Sequence, residues 1–266
     1  MTKRLIHVWC ERTEMARPSR TARRAVHRIG NAGRGSDAVN RVTAGSVRVS
    51  RNGTPSVEPF WPPMLAMLAV AGLYASLPPS LVGGAPRWLL VAIVAGLLIA
   101  ILIFHYRGNH LVHQVLGYVL NSFVTAAMIF SLALLIKEVT DHDITPRRLL
   151  TSAASLWTAN FLIFASWYWR LDGGGPHKRA RTPGHTDGAF LFPQMTMTAD
   201  AKIAADEQDW EPRFMDYLFL AFNTSTAFSP TDVPVLSRWA KFLMMIQAVI
   251  SLTVLALLAG RAVNIL

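Results

Sequence analysis

Two stretches of the chain carry side chains whose types and spacing could do chemistry. The first is "FNTSTAFSPTD", residues 222–232, which places the hydroxyls of Thr224, Ser225, Thr226, Ser229 and Thr231 and the carboxylate of Asp232 around Ala227, Phe228 and Pro230. Oxygens at that density can replace the water shell of a cation, which is the chemistry of a pore lining. The same residues also suit a packed polar loop, with Asp232 capping the next segment and Pro230 stiffening a turn. The second stretch, "HYRGNHLVH", gathers His105, His110 and His113. Imidazole is a ligand for transition metals, and His110 and His113 fall on one helix face. Spacing places no third or fourth ligand beside them, and histidines on a short interfacial loop are usually solvated. No metal and no cofactor are therefore expected. Asp141, His142 and Asp143 in "TDHDIT" form a weaker cluster, read as a polar turn ahead of Pro146. No nucleophile stands beside a base, so an enzyme is not expected.

The elements that position these residues are apolar. Four runs, 88–105, 115–136, 149–169 and 242–260, each have about the 17–25 residues that roughly 30 Å of hydrocarbon demands. A fifth, "PPMLAMLAVAGLYASLPP", lies between Pro62–Pro63 and Pro78–Pro79; the first pair suits a helix start and the second a stop. It is counted as a fifth span. None of the five cores holds Asp, Glu, Lys or Arg, which argues against a pump or a proton-coupled carrier. Their polar content is Asn121, Ser122, Thr125, Asn160, Gln247, Ser251 and Thr253, expected mostly to make interhelical hydrogen bonds. Thr151, Ser155 and Ala159 form a small-residue face for close helix approach, and Trp167, Tyr168 and Trp169 an interfacial belt.

Composition agrees: 52% of the 266 residues are apolar and only 16% charged, against about a quarter charged in soluble domains. The net charge of +10 suggests nucleic acid only until it is mapped. Residues 1–60 hold twelve basic side chains and four acids, and so +8 of that charge. This Arg-rich segment, with the lone Cys10, has no sustained helical or strand period. It reads as a disordered cytoplasmic tail, able to touch anionic headgroups. It shows no secretory signal, and a second reading starts translation at Met15 or near Met64. The expected partner is the bilayer, not nucleic acid.

Between 170 and 213 lies one long connection. It opens with the Gly/Pro-rich "RLDGGGPHKRARTPGHTDG", read as mobile, and closes with the acidic "DAKIAADEQDWEP", which has helical potential. "RFMDYLFLAF" then follows, with Pro212 suited to the first helical position and Asp209 or Glu211 to the cap. A short apolar helix, a polar stretch and a full span in succession read as a re-entrant loop, tolerated at depth only when buried in protein or lining water.

In this region the chain resembles the pore-loop potassium channels, whose signature T-x-x-T-V-G-Y-G-D follows a pore helix and precedes the inner helix. Thr224 to Asp232 fall in the same frame without a gap, and Ser237, Trp239, Ala240 and Lys241 lie where those channels commonly have Thr, Trp, Gly and Arg. The five filter positions depart from the pattern, reading Ala227, Phe228, Ser229, Pro230 and Thr231. Glycine makes the alternating carbonyl-in backbone accessible; β-branched Thr231 resists it and Pro230 fixes its own φ. A potassium-selective filter of the ordinary kind is excluded. Residues 62–266 also resemble the domain of unknown function 1345 family of bacterial membrane proteins, through "MDYLFLAF", the polar loop ending in Thr-Asp-Val, and "LSRWAKFLMMIQAVISLTVLALLAGRAVNIL". That resemblance implies a multi-pass protein of the bacterial inner membrane and brings no activity.

The expected architecture is all-α: a tail over 1–60 and a polytopic helical membrane domain over 61–266. Its helices fall near 62–79, 88–105, 115–136, 149–169 and 242–260, with a re-entrant helix and loop at 212–232. With five spans and the tail inside, the C-terminus lies outside, opposite to a potassium channel; with four, the channel orientation returns. The positive-inside count leans to five. Two functions are carried forward. One is a pore-loop, channel-like homo-oligomer, with residues 224–232 on the path. The other is a non-conducting accessory protein or binder of a small amphiphile.

Overall fold

The computed structural model describes residues 59–141, 145–179, 188–208, 210–226 and 233–263. The basic tail with Cys10, the residues His142, Asp143 and Asp209, and the loop from Ala227 to Asp232 lie outside the described residues.

Prolines and a glycine mark several of the helix ends. Helix α1 (Trp61–Ser76) carries proline in its first turn, where the missing N–H is not needed, and ends just before Pro78. Helix α2 (Arg87–Tyr106) turns at Gly108, φ 70°, into α3 (His110–Asp141). Helix α4 (Pro146–Leu171) begins on its proline. Three short helices follow in the connection, α5 (Pro176–Arg179), α6 (Pro193–Thr196) and α7 (Ala199–Ala204). Thr198 caps α7, its hydroxyl accepting from the Ala201 N–H at 3.3 Å. Then come α8 (Phe214–Thr226) and α9 (Arg238–Val263). Among the described residues there is no strand; a single antiparallel bridge, Phe190 to Val235, ties the connection to the segment ahead of α9.

The class is all-α, as the apolar runs predict. Helices α2, α3, α4 and α9 are long and apolar enough to cross a bilayer, which makes this a multi-helix membrane protein. Each extends past its apolar run, because polar flanks continue the backbone ladder without interruption. The predicted fifth span is α1, whose 16 residues reach about 24 Å at 1.5 Å per residue, short of the roughly 30 Å core. Helix α8 starts at Phe214, two residues later than the proline-based expectation. Its cap is the Asp216 carboxylate, which accepts from the Arg213 N–H at 2.7 Å and sits favourably in the first turn.

Helix α4 is the axle, packed by α1, α3, α8 and α9, while α2 lies outside against α1 and α3. Of its apolar window 61% is buried, against 17% for α2. Trp88, Ile99, Val119, Phe130, Phe242 and Val249 point outward from α2, α3 and α9. Apolar side chains on every face of a helix are the pattern lipid permits and water does not.

Candidate functional site

Of the residues singled out for a pore lining, the described ones are Thr224, Ser225 and Thr226, which form the last turn of α8. Thr224 and Ser225 are buried and Thr226 is exposed. The Thr224 hydroxyl donates to the Leu220 carbonyl at 2.8 Å and that of Thr226 to the Phe222 carbonyl at 3.1 Å, both inside the helix. Ser225 accepts from Gln247 Nε2 at 2.8 Å across the interface with α9. The loop from Ala227 through Phe228, Ser229, Pro230 and Thr231 to Asp232 lies outside the described residues.

Gln247 is the hub of this interior. Its amide N–H groups reach Ser225 and the Ala221 carbonyl of α8, the latter at 2.5 Å, while its Oε1 accepts from the Tyr168 hydroxyl of α4, also at 2.5 Å. One turn further along α9, Ser251 accepts from Asn160 Nδ2 at 2.7 Å. A second link joins α3 to α4: Ser166 donates to Asn121 Oδ1 at 3.0 Å and Trp167 Nε1 to Thr125 Oγ1 at 2.9 Å. The interhelical role expected of Asn121, Thr125, Asn160, Gln247 and Ser251 is therefore the observed one. Thr253 bonds its own helix instead, through Val249 O. Of the small-residue face, Ser155 meets Ser76 of α1 at 3.4 Å, but Thr151 is exposed and bonds back to Arg147.

The start of the connection is built rather than mobile over residues 172–179. Gly173, Gly174 and Gly175 all take positive φ (57°, 80° and 93°), a run that only glycine adopts without strain. They fold the chain back over the end of α4. Asp172, fully buried, accepts from the Tyr217 hydroxyl at 2.6 Å and from the Ala189 N–H at 2.5 Å, joining α4, the connection and α8. Arg179 donates to the Trp169 and Asp172 carbonyls at 2.6 and 2.8 Å, its guanidinium over the Tyr217 ring. Nothing in the sequence marks this carboxylate as buried, because it lies just beyond the apolar core of α4.

The same fold-back completes the histidine cluster. His105 is in the last turn of α2 and His113 in the first turn of α3, brought together by the tight turn at Gly108. His177, in α5, is delivered to them by the three glycines. One ring nitrogen from each of the three lies within 4.8 Å of the others. The His105 and His113 rings are 5.4 Å apart between centroids, and Phe60 packs on all three imidazoles at 4.4–5.2 Å. His110, which the sequence groups with His105 and His113, is not part of this trio; its ring stands 4.5 Å from that of His177. His113 Nδ1 and His105 Nδ1 are buried with no hydrogen-bond partner. A cavity of about 20 Å³ beside His113 and His177 is also lined by Gln114, Tyr118 and Arg170. Arg170 lies so close to α3 that a side chain on Gly117 would collide with its guanidinium. His177 was out of reach of the spacing argument because it belongs to a segment read as mobile; the run "GGGPH" directly after an aromatic helix end was the available signal.

Comparison with protein-family models, curated proteins and solved structures finds no match to this chain.

Proposed function

We propose that the chain is a non-conducting multi-pass membrane protein that acts as an accessory subunit or binds a small amphiphile, in the bacterial inner membrane that its family resemblance implies. The observation that carries this reading is the use of the α8 hydroxyls. A pore lining needs oxygens that face a water-filled path. Thr224 and Thr226 return theirs to their own helix, and Ser225 receives the hub amide of Gln247. Ser225 thus joins two helices, and the two threonine hydroxyls are taken up within α8. An apolar groove between α1, α4 and α8 supports the amphiphile branch. It has a volume of about 480 Å³, and Arg213 stands among Trp61, Leu65, Leu162 and Leu218. That volume is within the range of small-molecule sites, and one cation among apolar walls suits an anionic headgroup on a hydrocarbon tail.

The test is ion flux into liposomes holding the purified full chain, with potassium, sodium, proton and chloride indicators. The expected result is flux no greater than in empty liposomes. Flux that Asp232→Asn alters would overturn the reading in favour of a channel-like homo-oligomer. One feature favours that second reading: α8, 13 residues and so about 20 Å long, is too short to span and is followed by a full span, as a re-entrant segment is.

A further inference from the structure

We propose that His105, His113 and His177 form a binding site for a first-row transition-metal dication, Zn²⁺ in the first instance, with one coordination position open to a small anion or water. Three elements that are separate in sequence converge to present three ring nitrogens within 4.8 Å of one another. Neutral imidazole is a ligand type that zinc, copper and nickel favour over magnesium and calcium, which take oxygen. Zn–N bonds of about 2.0–2.1 Å place tetrahedral ligand atoms roughly 3.4 Å apart. The imidazoles then close by an ångström or so, a movement within reach of side-chain rotation.

A second observation is independent of the convergence. Buried polar nitrogens are ordinarily paired, and leaving one unpaired is destabilising. His105 Nδ1 and His113 Nδ1 are both buried and partnerless, and His113 is 3% exposed. Two such nitrogens at one spot, beside a third imidazole, have the chemistry of a ligand set. A plain stack of imidazoles on Phe60 explains the ring contacts but leaves both nitrogens unexplained.

The surroundings leave space for a fourth ligand beside two of the three histidines. The cavity of about 20 Å³ next to His113 and His177 has room for roughly one water-sized ligand. Arg170 lines it, held against α3 where Gly117 has no side chain. A guanidinium beside a dication is offset when the fourth ligand is an anion, so hydroxide or chloride is favoured there over a neutral donor. Three protein ligands and one exchangeable position distinguish the site from a closed four-ligand structural zinc. Bound metal would clip the end of α2, the start of α3 and the fold-back of α5 together, while Phe60 shields the imidazoles.

The experiment uses the full chain purified in detergent through a tag without histidines, stripped with chelator. Zn²⁺ alone is titrated against a chromophoric competitor, and Co²⁺ is added separately for its visible absorption. Expected are one tight Zn²⁺ per chain, the intense d–d band of tetrahedral Co²⁺, and at least tenfold weaker binding in His105→Ala and in His177→Ala. His110→Ala, whose ring neighbours His177 without joining the trio, should bind as the parent does. Circular dichroism of each metal-free variant separates lost ligands from lost fold, and His177→Gln, a half-buried position on the short α5, serves if an alanine variant does not fold. Zinc retained in folded His177→Ala or His177→Gln would overturn the proposal, as would equal loss in His110→Ala. Binding to the parent no tighter than to a triple variant lacking all three histidines would also overturn it, leaving adventitious contacts elsewhere on the chain.

Discussion

Two clusters of polar side chains sit in this bundle, one in its interior and one at its end, and they are paired to very different degrees. In the interior, Gln247 uses both ends of its amide, and Tyr168, Ser225, Asn160 and Ser251 each find a partner on a neighbouring helix. Within that network the atoms left over are Asn160 Oδ1 and Asn121 Nδ2, on amides whose other end is bonded; elsewhere on α4 the buried Ser152 hydroxyl also has no partner. At the end, His105 and His113 each keep a buried, partnerless Nδ1. A polar group in an apolar surround must be satisfied by something. Where the protein supplies the partner, the group serves packing; where ligand-type nitrogens from separate elements meet without one, they are available to a ligand. The contrast therefore assigns a packing role to Ser225, which sequence spacing made look functional, and binding to histidines that looked solvated.

The largest effect that can break this contrast is loss of the hub. Gln247→Ala removes the partner of the Tyr168 hydroxyl, of Ser225 and of the Ala221 carbonyl at once. The expected cost is about 2–4 kcal/mol, since buried donors and acceptors are left unsatisfied. Thermal unfolding in detergent should show it as a lowered midpoint, with zinc affinity unchanged. A variant as stable as the parent would mean that the interior network does not hold the helices together. Asp172→Ala follows, at roughly 2–3 kcal/mol, because it strands the Tyr217 hydroxyl and the Ala189 N–H. Unlike the hub variant it should also weaken metal binding, since Asp172 anchors the fold-back that carries His177. Unchanged zinc affinity in Asp172→Ala would separate α5 from that anchor.

Gly175→Ala sharpens the same link with a smaller change. Its φ of 93° is costly for any residue with a Cβ, and the added atom would meet the Arg170 carbonyl at 3.0 Å. A loss of about 1–2 kcal/mol is expected, together with a several-fold weaker zinc site, read in the same titration. Stability lost without any change in affinity would show that His177 is placed by its other contacts.

Much of the fold was legible because the strongest signals in a membrane chain are local. Uninterrupted apolar runs name the helices, prolines at 62, 78 and 146 mark their ends, and Asn160 and Gln247 inside apolar runs announce interhelical bonds. The burial of Ser225 and Thr224 was not legible. Hydroxyls that bond their own helix and hydroxyls that line a path have the same sequence, and the difference lies in which neighbour packs on them. His177 was hidden for another reason. A glycine run reads as freedom, whereas here consecutive positive-φ glycines define a sharp fold-back. The carboxylate of Asp172, next to that run, was hidden with it.

The smallest expected effect is the most discriminating. In metal-free protein, His105→Phe replaces a partly buried ring whose Nδ1 has no partner with an apolar ring of similar shape, packed beside Phe60. Removing an unsatisfied polar atom in this way is nearly neutral or slightly stabilising, so the unfolding midpoint should move by no more than about 0.5 kcal/mol equivalent. Adding Zn²⁺ should then raise the midpoint of the parent by mass action, and leave that of the variant where it was. If His105→Phe instead lowers the metal-free midpoint as strongly as Gln247→Ala does, His105 has a structural partner in the folded protein. The two clusters would then be alike, and the division between packing and ligand set would fall.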